Sequence, residues 1–226
     1  MLYTLSLLAL AIGPGLAICI FIYWQDKFEK EPRHLLIKSF LIGILSTIPA
    51  MVLEIIAGNL GLDPASKSMS TSIIACVFGI GFSEELSKYF FVRFYAYTKP
   101  DFNEPFDGIT YAVMVSVGFA TLENIIYVFQ YGIGTGILRM FTAVPAHAFF
   151  GVIIGYYLGI QKCKIKPFYG ITGLILATTL HGFYDLFLFN AQHIWTILGA
   201  IASLVLGFWY SKKAIRIHQE ASPFKN

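Results

Sequence analysis

The sequence predicts an all-α fold, a polytopic membrane bundle of about seven transmembrane helices, and three observations carry that reading. Of 226 residues, 57% are hydrophobic and only 13% are charged, against roughly a quarter in an average globular chain. The mean hydropathy is +0.69. The third observation is the division of the chain into seven apolar pieces near the ~20 residues that a spanning helix needs.

Taken in order, the first piece, Leu2–Tyr23, lacks a basic n-region and an A-x-A site and reads as a retained helix rather than a signal peptide. Leu35–Ala57 and Thr71–Tyr97 follow; Glu31 and Pro32 in the link before them suit a turn, a helix start or a docking surface. The fourth piece, Ile109–Tyr131, has Asp107 and Gly108 before it, an acceptor for free N–H groups and an easy turn. In the fifth, Ile137–Ile160, Pro145 removes a backbone hydrogen bond and predicts a kink. Phe168–Phe189 and Ile194–Tyr210 complete the set, and the short links leave room for one transmembrane helical domain over residues 1–226. There is no internal repeat. Cys19, Cys76 and Cys163 lie in or beside apolar stretches without metal spacing and read as packing residues.

Thirteen of the sixteen Lys and Arg fall on one side of a seven-span chain: Lys27, Lys30, Arg33, Lys38, Arg93, Lys99, Lys162, Lys164, Lys166, Lys212, Lys213, Arg216 and Lys225. Lys67 and Arg139 lie opposite, and Lys88 is internal. The positive-inside rule then puts the N-terminus outside and the C-terminus in the cytoplasm. A net charge of +3 spread over loops gives no reason to expect nucleic acid.

The functional candidates are the ionisable groups at bilayer depth, each costing at least ~2.5 kcal/mol on insertion scales. They are Glu84, Glu85 and Lys88 on the third span, Glu123 with Asn124 on the fourth, His147 on the fifth, and His181 with Asp185 on the sixth. At ~1.5 Å per residue, Glu123, His147 and His181 lie about 12 to 15 Å from the outer ends of their spans and Glu84 about 20 Å, so one polar layer on helices 3 to 6 is feasible. Small residues in i+4 rows mark the same faces as helix-facing: Ala112, Ser116, Ala120 and Asn124; Ala143, His147, Gly151, Gly155 and Gly159; Gly173, Ala177, His181 and Asp185. Glu84 and Glu85 are ~100° apart around their helix, so one faces the cavity while the other finds a donor, with Lys88 in reach of both.

A desolvated carboxylate near a histidine can take a proton from water and pass it to a leaving amine. Neither G-x-S-x-G nor HExxH occurs, which leaves hydrolysis by Glu and His or by a metal they hold. His147, His181, Glu123 and Glu84 or Glu85 would serve a single divalent metal such as zinc, and the residues alone leave metal-free catalysis equally open. The rival readings are a buried ion-pair cluster that only holds helices together, and a proton- or ion-coupled transporter. Glu54, near the outer end of the second span, receives no role.

The strings "EPRH" (31–34), "EELSK" (84–88), "FDGITYAVMVSVGFATLENIIY" (106–127), "PAHAFFGVIIGYYLG" (145–159) and "HGFYD" (181–185) resemble the PrsW family of bacterial membrane proteases over nearly the whole chain. That family is similar to the larger CAAX-protease and bacteriocin-processing group. The resemblance implies Glu84 as general base, His147 helping to activate water, and His181 with Asp185 on the oxyanion side, and the wider group's pattern favours metal-free work. Lys88 follows the pair at a shorter spacing than the group's usual Arg, and Asp185 replaces the more common Asn. An ionised Asp185 cannot donate to an oxyanion, so orienting His181 is its safer role. The implied substrate is a single-pass membrane protein, an anti-sigma factor cut on the extracytoplasmic side.

Overall fold

The computed structural model describes residues 2–164 and 166–225. Among them the secondary structure is helix joined by short links, with no strand and seven stretches long and apolar enough to span a bilayer. The elements are α1 (Leu2–Gln25), α2 (Arg33–Leu45), α3 (Thr47–Asn59), α4 (Met69–Ile74), a π-helical turn (Ala75–Gly81), α5 (Phe82–Phe94), a short 3₁₀ turn (Ala96–Thr98), α6 (Pro105–Tyr131), α7 (Ile133–Phe141), α8 (Ala143–Cys163), α9 (Tyr169–Phe189) and α10 (Ile194–Glu220).

Three predicted spans are broken. The second divides at Ser46 into α2 and α3, and the fifth divides at Thr142 into α7 and α8. These two breaks have the same cause. Pro49 and Pro145 are the third residues of α3 and α8, and a proline ring clashes with the carbonyl four residues earlier. Those carbonyls belong to Leu45 and Phe141, the last residues of the preceding helices. The expected kink at Pro145 is thus a full break three residues upstream. In the third span the π-helical turn interrupts the helix just before Glu84. At the other end α10 runs on to Glu220, ten residues beyond the predicted boundary, because Ala214 and His218 are buried and His218 stacks on Tyr156 at 4.4 Å.

Helix α6 is the centre of the bundle, its residues from Pro105 to Thr121 all buried. It can be so deep because its neighbours approach backbone to backbone. A Cβ on Gly155 of α8 would lie 2.3 Å from Gly108 O, and one on Gly43 of α2 would lie 2.0 Å from Val115 O. Small residues permit this contact, which supplies dispersion energy where lipid removes the hydrophobic drive between helices. A belt of exposed Ile, Leu, Phe and Trp on α1, α2, α3, α9 and α10 faces outward. The chain is a multi-pass membrane protein.

Basic links and their anchors gather at one end. Lys162 Nζ donates to Tyr97 O (2.7 Å) and Lys99 O (2.9 Å), tying the end of α8 to the end of the third span. The "EP" and "DGITY" strings meet there as well. Tyr111 donates to Glu31, and Asp107 Oδ2 accepts from the N–H groups of Asn103 (2.8 Å) and Glu104 (2.7 Å), capping α6 as its position predicts. Glu31 therefore anchors the interior end of a link rather than forming a docking surface.

Candidate active site

The π-helical turn delivers the acidic pair. It runs against α9 with glycine on both sides: a Cβ on Gly81 would sit 2.9 Å from Thr178 O, and one on Gly182 2.5 Å from Val77 Cα. Helix α5 then starts with Glu84 and Glu85 in its first turn, both buried, and Lys88 one turn on. Lys88 Nζ donates to Glu84 Oε2 (2.9 Å) and Glu85 Oε1 (2.8 Å) and lies 2.9 Å from His147 Nδ1. Its ammonium also sits 4.0 Å from the centre of the Phe119 ring. As expected from their ~100° separation, Glu84 lines the cavity while Glu85, fully enclosed, takes donors on α5 and α9.

The histidines close the ring. His147 Nε2 lies 2.9 Å from Glu123 Oε2, so that Nε2–H donates to the carboxylate and Nδ1 is left to accept from Lys88. Ser116 Oγ donates to His147 O at 2.6 Å, which holds α8 against α6 at this level. His181 Nδ1 lies 2.8 Å from Glu85 Oε1, and its Nε2 lies 3.3 Å from Asp185 Oδ2 and 4.0 Å from Glu84 Oε2. Phe150 stacks on the His181 ring at 4.6 Å, and the two imidazoles meet edge to face at 5.3 Å.

Glu84, Glu85, Lys88, Glu123, His147, His181 and Asp185 are thus brought together from four spans. Asn124 is not. It turns away, donating to Leu10 O (3.2 Å) and Ala11 O (3.0 Å) of α1. Glu54, to which the sequence assigned no role, lines the cavity, and so does Arg139, which the sequence places at the outer start of the fifth span without a role. The cavity measures about 380 Å³ and is walled by Met51, Ile80, Phe119, Tyr127, Phe150 and Tyr184 among others.

Such an assembly can activate water, and it can hold a cation. One ligand atom from each of Glu84, Glu85, His147 and His181 lies within 4.8 Å of the others, all buried. The five carboxyl groups of Glu54, Glu84, Glu85, Glu123 and Asp185 face two cations, Lys88 and Arg139, an excess of negative charge that a divalent ion or bound protons would reduce.

Residues 31–210 match the family described as "PrsW family intramembrane metalloprotease". The chain belongs to the PrsW family. It is 34% identical to Protease PrsW of Geobacillus kaustophilus over 93% of this chain and 91% of that one. It is 38% identical to Protease PrsW of Oceanobacillus iheyensis over 81% and 83% of the two chains, and 31% identical to that of Bacillus subtilis over 91% and 92%. No solved structure matches. The protein is therefore a membrane-embedded protease of the PrsW family, in the bacterial cell membrane, and the coupled-transport reading gives way.

Proposed function

We propose that this chain cuts a single-pass membrane protein, of the anti-sigma-factor class, on the extracytoplasmic side, with Glu84 as the base that activates water. The observation that carries the reading is one cavity of about 380 Å³ inside the bundle lined at once by Glu84, His147, His181 and Asp185. The cavity lies among the end of α6, the start of α8 and the end of α9, opposite the basic links, which supports an extracytoplasmic cut and an outside N-terminus.

In the proposed step the Glu84 carboxylate takes a proton from water as the water oxygen bonds to the scissile carbonyl carbon. His147, its ring turned by Glu123, orients that water through Nδ1, which gives up its contact with Lys88 in this step. His181, held between Glu85 and Asp185, faces the developing oxyanion. Collapse breaks the C–N bond, and the proton taken by Glu84 passes to the leaving amine, giving a new carboxylate and a new amino terminus. The donor set also fits a divalent cation such as zinc, held by Glu84, Glu85, His147 and His181, which when bound supplies Lewis acidity and a more acidic water.

The test is cleavage of a membrane-anchored substrate by purified protein in liposomes, with mass spectrometry locating the severed bond. Glu84→Gln and His181→Ala abolish the cut while the protein remains inserted; normal cutting by both variants would overturn the assignment.

A further inference from the structure

We infer that Arg139 is a positioning residue of the hydrolytic centre, acting through Glu123 on His147. This rests on the reading that the Glu84 and His147 cavity is where the peptide bond is cut.

Arg139 comes from α7, a nine-residue helix whose Ile133, Ile137, Leu138 and Phe141 are exposed as an apolar face. Its own side chain is turned inward, only 13% exposed. Three contacts fix the guanidinium plane. Nε donates to Asn124 Oδ1 at 2.9 Å, Nη2 lies 3.0 Å from Glu123 Oε2, and Cζ sits 4.1 Å above the Tyr127 ring. Asn124 is itself pinned, since its amide N–H groups go to α1 carbonyls and leave Oδ1 for Arg139. The Nη2 contact is an ion pair out of hydrogen-bond alignment, and Nη2 makes no hydrogen bond among the described residues.

The consequence lies in which oxygen is used. Glu123 Oε2 is the atom that both Arg139 and His147 Nε2 approach. Glu123 is 22% exposed at the cavity, and among the described residues Arg139 is the one cation besides His147 that pairs with its carboxylate. With it, the His147 tautomer is set, and Nδ1 is aimed at the group shared by Glu84 and Lys88. A planar fork reaches Asn124 and Glu123 together, whereas a lysine ammonium is a single point charge and cannot.

The experiment uses the full chain in liposomes with a membrane-anchored peptide substrate. Arg139→Gln lowers kcat about 10-fold or more with KM nearly unchanged, in line with the usual cost of losing an outer partner of an active-site histidine. Arg139→Lys, which keeps the charge and loses the fork, recovers only part of the loss and carries the test if the glutamine variant fails to insert. In an E123Q background, R139Q adds no further loss, because both changes remove one link; the surface variant Arg216→Gln cuts normally. Multiplicative losses in the double variant, a loss confined to KM, or full rescue by lysine each overturn the inference. Glu84→Gln in the same assay separates the two levels: its normal activity retires the hydrolytic reading itself, and its inactivity beside multiplicative Arg139 losses retires only the role of Arg139.

Discussion

Lys88 Nζ stands 2.9 Å from His147 Nδ1, and both share Glu84 as a neighbour, so an ammonium sits where a metal ion would find three of its four ligands. Lysine and a divalent cation therefore compete for one set of lone pairs. His147 is one of the four residues that would hold a metal, and its Nδ1 already faces the ammonium. Electroneutrality alone does not choose between them, because the carboxylates are stabilised by either.

The competition makes a prediction. Lys88→Met removes the ammonium and leaves two buried carboxylates without it, a change that costs several kcal/mol when uncompensated. Zinc added to this variant raises its thermal midpoint by several degrees, and more than it raises that of the unaltered protein. Elemental analysis after dialysis finds more zinc per chain in the variant. Equal metal content and equal shifts in the two proteins would show that Lys88 does not guard the site.

The polar layer was legible because lipid makes charge conspicuous. In a chain with so few ionisable residues, Glu84, His147 and His181 stand out, and the i+4 rows of small residues mark the faces they share. The breaks at Ser46 and Thr142 were legible in principle, since Pro49 and Pro145 each end the preceding helix four residues upstream. The π-helical turn was not, for it is stabilised by the approach of Val77 and Gly182 across more than a hundred residues of chain. Arg139 was hidden for a related reason: it reads as a lone cation at the outer start of the fifth span until that span breaks at Thr142 and α7 puts it beside Glu123. Glu54 was hidden because the second span breaks, leaving α3 to present it to the cavity.

Stability at the opposite end of the bundle depends on protons. Burial pushes the Glu31 carboxyl up from 4.5 to about 7, aided by the nearby Asp26 and opposed by hydrogen bonds with Asp107 and Tyr111. Burial likewise raises Asp26 to about 6, opposed first by the Glu31 backbone N–H. A folded state that holds its protons more tightly than the unfolded chain is favoured at low pH, and this contribution is lost as pH rises from about 4.5 through about 7. The thermal midpoint in detergent therefore falls between pH 5 and pH 8 by a few degrees. Glu31→Gln, which still accepts from Tyr111, flattens the slope, leaving the part due to Asp26 and to the other buried carboxyls at this end, such as Glu104. Identical slopes in the two proteins would remove Glu31 from the explanation.

The geometry of the site depends on one missing methyl group. Gly182 follows His181 on α9, and a Cβ there would lie 2.5 Å from Val77 Cα and 3.0 Å from Cys76 O, both in the π-helical turn. Backbone atoms cannot swing aside as a flexible side chain would, so alanine at 182 pushes α9 off the turn. The turn leads directly into Glu84 and Glu85, and the first contact to open is His181 Nδ1 to Glu85 Oε1, now 2.8 Å. Displacing a reacting group by ~1 Å costs up to about a hundred-fold in rate, while overpacking costs roughly 1–3 kcal/mol of stability. Gly182→Ala is accordingly expected to lower kcat at least ten-fold, with a drop of a few degrees in thermal midpoint. Gly58→Ala is the control, since a Cβ at that position of α3 meets nothing within 4 Å; it leaves kcat where it was and, alanine being the better helix former, does not lower the thermal midpoint. A Gly182→Ala protein that cleaves at the normal rate would mean that the seating of α9 on the π-helical turn does not set the position of His181.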